Sequence, residues 1–157
     1  MPRCKPIAVG ALAFLALFLG LPTAEAHAAV ATPALPAITE RFSPVLPCNP
    51  NTTIGQEGCA ERRVLAGDKQ LTTDAQLVFQ RLDTNSARRD FVAAQRSWLA
   101  YRSADCQSQS DAYQGGTEQP VAYADCLAAD DVSRRLALKA FYGVLTQGLG
   151  PKAPAFP

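Results

Sequence analysis

Residues 95–106 read QRSWLAYRSADC, and within about three helical turns they gather the chain's only tryptophan, Trp98, with Tyr101, Arg102, Asp105 and Cys106. Arg102 follows Trp98 by four positions, so on a helix its guanidinium can lie along the indole, and Asp105 follows Arg102 by three and can pair with it. The loop YQGGT at 113–117 comes next and carries a glycine pair. Groups of this kind can bind a protein, pin a helix end or pack as core. They do not make a hydrolase, which needs a nucleophile with its base, a metal, or paired acids. The single histidine is His27 near the N-terminus, and the adjacent Asp130 and Asp131 point apart on a helix. The cysteines show no C-x-x-C spacing and have no histidine to join them. No catalytic residue, no metal site and no cofactor is therefore assigned, and the chain is not expected to be an enzyme.

The elements that must position these groups begin after an export signal. Arg3 and Lys5 precede an apolar run from Ile7 to Leu21, and small residues at Ala24, Ala26 and Ala28 suit a signal peptidase. Residues 1–28 read as a signal peptide, because the run falls short of the roughly 20 apolar residues of a membrane span. No cysteine follows the run directly, so no lipid anchor is expected. The protein is expected in the periplasm or outside the cell, free of the membrane after cleavage. Setting residues 1–28 aside removes Arg3, Lys5 and Glu25 and leaves acids and bases balanced. That balance gives no basic footprint for nucleic acid.

Four cysteines remain, Cys48, Cys59, Cys106 and Cys126, and an even number in an exported chain reads as two disulfides. Three pairings are possible. Geometry favours Cys106–Cys126, which closes the loop between two helices, and Cys48–Cys59, which clips the preceding segment to a helix. The other pairings would tie that segment to a later helix.

Residues 29–50 hold five prolines among Ala, Thr and Ser and read as an extended tether or a surface-hugging segment. Residues 51–148 carry helical periodicity, and 149–157 form a tail. The first helix is expected from about Gln56 to Leu82, with Val64, Leu71, Ala75, Val78 and Leu82 on one face and a possible break at Thr72-Thr73. The second starts after Asn85 or Ser86 and buries Phe91, Ala94, Trp98 and Tyr101. The third starts near Thr117 as its cap, tolerates Pro120 in its first turn, and buries Leu127, Arg134, Leu138, Phe141 and Leu145. Gly148, Gly150 and Pro151 end it. No β-type alternation appears. The expectation is an all-α domain, a helical hairpin or three-helix unit braced by two disulfides, with Phe91, Trp98, Tyr101 and Leu127 in its core.

Charge is polarised along this chain. From Ser103 to Asp131 there are six acids and no Lys or Arg, whereas bases outnumber acids from Glu61 to Arg102. An acidic loop stiffened by a disulfide suits docking on a basic protein, since complementary potentials speed encounter and a braced loop loses less entropy.

The strings AQRSWLAYRSADC, YQGGT, YADCL and SRRLALKAF together resemble the family of small exported LprI-like lysozyme inhibitors. The matching positions are Ala94, Gln95, Trp98, Tyr101, Arg102, Ala104, Cys106, Gly115, Gly116, Thr117, Cys126, Leu127, Arg135 and Leu138, with Cys59, Asp68 and Leu71 upstream. The chain departs from the pattern at Ser103, Thr72 and Ala75. The resemblance implies a protein partner, a basic c-type lysozyme, whose cleft would be occluded. The candidate partner-facing residues are Arg102, Asp105, Asp111, Tyr113, Gln114, Gly115, Gly116 and Thr117. The alternative is an envelope accessory or structural module that binds another exported protein without inhibiting it.

Overall fold

Thr52 ends the Pro-rich stretch and caps the first helix: its hydroxyl accepts from the Gly55 N–H at 3.1 Å. Helix α1 then runs Thr53–Gln80, and α2 runs Asn85–Ser110 behind the matching cap of Thr84, which accepts from the Ala87 N–H at 3.1 Å. A short 3-10 turn at Asp111–Tyr113 leads to α3, Gln119–Leu145. The computed structural model describes residues 33–147 and 155–157. The signal peptide expected over residues 1–28 and the helix stop expected at Gly148 and Gly150 fall outside the described residues. Among those described there is no strand, and no helix is long and apolar enough to cross a membrane.

Helix α3 packs along both α1 and α2. Its pairs with α1 ascend together, Arg63 with Asp125 and Asp74 with Arg135, so α1 and α3 are parallel. Its pairs with α2 run oppositely, Cys106 with Cys126 and Gln95 with Arg134, which makes α2–α3 the antiparallel hairpin.

Helix α1 does not break at Thr72-Thr73. The Thr72 hydroxyl donates to the Asp68 carbonyl at 2.9 Å and Thr73 to Lys69 at 3.2 Å, so both hydroxyls are satisfied one turn back and the ladder continues. Gly67 has a tertiary role: a Cβ there would stand 2.6 Å from an Asp131 carboxylate oxygen, so glycine lets α1 and α3 approach. The cap expected of Thr117 is also absent, since α3 opens after Glu118 with no side-chain cap bond, although Pro120 does sit in its first turn.

Two apolar clusters fill the interior. The larger joins Leu71, Ala75, Val78, Leu82, Phe91, Leu138 and Tyr142 with Ile38. The smaller, at the other end, holds Ala60, Val64, Cys106, Ala124 and Leu127. Both disulfides, Cys48–Cys59 and Cys106–Cys126, belong to that thinner end, with Cα atoms 4.3 and 5.4 Å apart. Closing such short loops stabilises the fold by about 3 kcal/mol each in the chain-entropy account.

The Pro-rich segment, from residue 33, lies against α1 rather than hanging free. Ile38 is buried in the larger cluster, the Glu40 N–H donates to Asp68, and the Leu46 N–H donates to Glu61 at 2.8 Å. At Gly58 a Cβ would come within 2.5 Å of the Pro47 carbonyl, so the helix needs a bare backbone where the segment crosses it.

Candidate functional site

Between the two apolar clusters lies a belt of buried polar side chains. Arg102, on α2, is only 3% exposed. Its guanidinium stands 2.9 Å from an Asp68 oxygen on α1 and 3.1 Å from an Asp131 oxygen on α3, so one cation ties three helices together. Trp98 lies one turn away on α2. The Arg102 and Arg134 guanidinium carbons are each 5.6 Å from its ring centre, and the indole is flanked by two cations. Arg134 donates twice to the Gln95 side-chain oxygen, at 3.1 and 2.7 Å. Arg135 donates to buried Asp74 at 2.8 Å.

The electrostatics follow from burial. Desolvation pushes the Asp131 carboxyl up to about 7; Arg102 pulls it down, while Asp68, Asp130 and Glu40 push it further up. Burial also lowers Arg134 from its ordinary value. One guanidinium stands between the two carboxylates, and burial raises Asp131 despite it.

Arg102 therefore cannot face a partner. The expectation that it would is corrected by its two interior carboxylates and the indole packed along it. The spacing argument found the Arg102–Trp98 contact, but Asp105 is not its acid: Asp105 accepts from Gln109 at 2.8 Å and stands beside Tyr101. Tyr101, expected in the core, is 58% exposed, and Asp105 above all holds its phenol above the ordinary value, with Asp130 adding to the effect. Ala94 and Phe141 are exposed as well, and Arg134 is half-buried. Phe91 and Leu127 are buried as expected, and Trp98 is half-buried against the larger cluster. Helix α2 buries Phe91, Val92, Gln95, Arg102, Cys106 and Ser110 instead, a face turned toward polar residues whose partners sit on other helices.

The remaining candidates form the tip of the α2–α3 hairpin. Asp111, Tyr113, Gln114, Gly115, Gly116 and Thr117 are all exposed. The tip is nonetheless held. The Asp111 carboxylate accepts from Gln107 at 2.8 Å and from Gln119 at 3.4 Å, the Gln114 N–H donates to the Asp111 carbonyl at 3.2 Å, and the Gly116 N–H to the Tyr113 carbonyl at 2.9 Å. Gly115 takes φ of +80°, open to glycine at no steric cost. The result presents Tyr113 at 52% exposure above a disulfide. Asp105 lies half-buried lower on α2. Asp125 is already engaged with exposed Arg63, and Asp131 is interior, so the acidic surface is smaller than the sequence count of acids implies.

Among the described residues the one group of metal-ligating type is Cys106, Cys126 and Asp130, and its two sulfurs are joined to each other. An oxidised pair offers no thiolate to a metal.

Sequence reasoning missed the interior pairing of Arg102 with Asp68 and Asp131, and of Arg134 with Gln95. The signal available was the presence of Asp68 and Gln95 within the motif strings themselves, since a motif can record an internal contact as readily as a surface.

The described residues form a small helical domain with an interior ion belt, two disulfides and an exposed hairpin tip. The chain belongs to the LprI lysozyme-inhibitor family, whose profile, described as Lysozyme inhibitor LprI, matches residues 48–138. No curated protein and no solved structure matches the chain. The family is one of inhibitors rather than enzymes, and disulfides fit an oxidising compartment.

Proposed function

We propose that this protein inhibits a basic, c-type lysozyme by inserting the α2–α3 tip into the substrate cleft. Family membership is the observation that carries the reading. The tip supports it physically. A lysozyme cleft holds two carboxylates that act on the glycosidic bond, and an occluding loop must fill space there and offer hydrogen-bond donors. Tyr113, Gln114 and Thr117 supply hydroxyl and amide donors, all of them exposed. Asp111 and Glu118 flank them and would steer the loop toward a cationic enzyme. Internal hydrogen bonds and the Cys106–Cys126 bridge limit the entropy lost on insertion. The same reading places the protein outside the cytoplasm, where such an enzyme would be met.

The test is a turbidity assay with cell-wall suspension, lysozyme and the purified protein. Lysis should slow at micromolar protein, and Tyr113→Ala should weaken inhibition by about 10-fold or more with helicity unchanged. Unslowed lysis sinks the inhibitor reading and favours a module that docks on another exported protein. Full inhibition by Tyr113→Ala moves the contact surface away from the tip.

A further inference from the structure

The segment before α1 and the first two helices enclose a cavity of about 270 Å³. Leu35, Pro36 and Ile38 form one wall, Ala75 of α1 another, and Gln95 of α2 joins them. Ala37 and Thr72, both exposed, stand at its rim. Of the described residues that line it, none is ionisable. Gln95 is fully buried, yet its Nε2 has no hydrogen-bond partner among the described residues. The orientation of this amide is fixed. Arg134 carries only donors, and it donates twice to the Gln95 oxygen. The amide cannot turn over without setting donor against donor, so its two N–H groups are turned from Arg134 toward the cavity. A buried donor left unpaired is costly, and native chains keep few of them.

We infer that this cavity binds a small uncharged amphiphile, an apolar ring or branched chain bearing one carbonyl oxygen that accepts from Gln95 Nε2. Volume, walls and donor each narrow the class. A cavity of roughly 150 Å³ holds benzene, so this one has room for a ring with a short polar branch. Walls of Leu, Pro, Ile and Ala favour hydrocarbon. A carboxylate would lose its hydration there with no lining base to pair it, which selects a neutral group. The amide donor calls for an acceptor. A carbonyl oxygen answers it without bringing a donor of its own, whereas a hydroxyl would add an O–H that itself needs a partner. A molecule held this way bridges the segment before α1 to both α1 and α2. No residue of the hairpin tip lines the cavity, and the inference does not rest on the inhibitor reading.

Titration of the isotope-labelled protein with cyclohexyl methyl ketone, followed by NMR, reads the side-chain amide signals directly. The Gln95 Nε2 pair should shift saturably, with a dissociation constant on the order of 1 mM. Cyclohexanecarboxylate, of the same shape but charged, should bind at least about 10-fold more weakly. Gln95→Glu keeps an oxygen for Arg134 and removes both N–H groups, so it should weaken ketone binding about 10-fold. A second variant blocks the mouth without touching the interior: Ala37→Trp, at an exposed position, should leave helicity unchanged and abolish binding. The proposal is overturned if no signal saturates by about 50 mM ketone, if the shifts centre away from the cavity, or if the carboxylate binds equally well. It is equally overturned if folded Gln95→Glu or Ala37→Trp binds the ketone as the wild type does, or if a crystal soaked in ketone holds only water against Gln95 Nε2. Lysozyme takes no part in these readouts, so failure of the turbidity assay leaves them intact.

Discussion

The charged belt and the hairpin tip are both built from the most polar residues of the chain, and they use polarity in opposite ways. In the belt, Asp68, Arg102 and Asp131 are withdrawn from water and matched across three helices. At the tip, Asp111 and Tyr113 stay in water and are held mainly by short-range bonds within the loop. A buried ion group is costly to break but adds little over a well-packed apolar replacement. Here it joins α1, α2 and α3 at one point. The tip adds little to stability and keeps its donors unspent. Mutations should divide accordingly, with loss of folding in one region and loss of binding in the other.

The largest expected effect tests that division. Arg102→Leu strands two buried carboxylates and should cost about 3–5 kcal/mol in urea unfolding, while Tyr113→Ala leaves the midpoint unchanged. If Arg102→Leu unfolds at the wild-type midpoint, the belt is not structural and the contrast collapses. A subtler effect comes from the proton on Asp131. The carboxyl is raised from 3.8 to about 7 in the folded chain. Below pH ~4 it is protonated in both states and its contribution is fully present; as pH rises toward 7 the unfolded chain releases the proton first, and stability is lost. The stability difference between wild type and Asp131→Asn should therefore fall from pH 4 to 7, with a slope of at most about 1.4 kcal/mol per pH unit. A difference independent of pH in that window removes the buried proton. The smallest effect belongs to Arg63→Ala. Its pair with Asp125 is exposed on both sides, so the cost should be under about 1 kcal/mol and fade with salt. Thermal melts at low and high salt measure it, and a large salt-insensitive loss would place that pair with the belt.

How far the sequence could be read depends on what periodicity detects. Val64, Leu71, Ala75, Val78 and Leu82 all lie in the interior, as their spacing requires. Apolar residues announce a buried face, and the favoured disulfide pairing followed from Cys59, Cys106 and Cys126 on helices and Cys48 in the segment before them. On α2 the same method chose Ala94, Trp98 and Tyr101 and missed that Gln95 and Arg102 are buried, each against a partner on another helix. A hydrophobic pattern is blind to a polar side chain whose partner lies on a helix far along the chain. The tip was legible for another reason: a glycine pair between two cysteines needs no long-range information to be recognised as a turn. Asp131 was read as part of an acidic surface because sequence counts charges without showing which side of a helix they occupy.

Both sulfur bridges sit where the core is thinnest, beside Ala60, Val64, Ala124 and Leu127. Small side chains there leave little hydrocarbon to hold the helix ends, so covalent bonds do what packing does at the opposite end. A copy kept in its dithiol form would stay knitted around Leu71, Phe91 and Tyr142 yet fray at the hairpin. Reduction should therefore loosen the hairpin tip before it loosens the larger cluster.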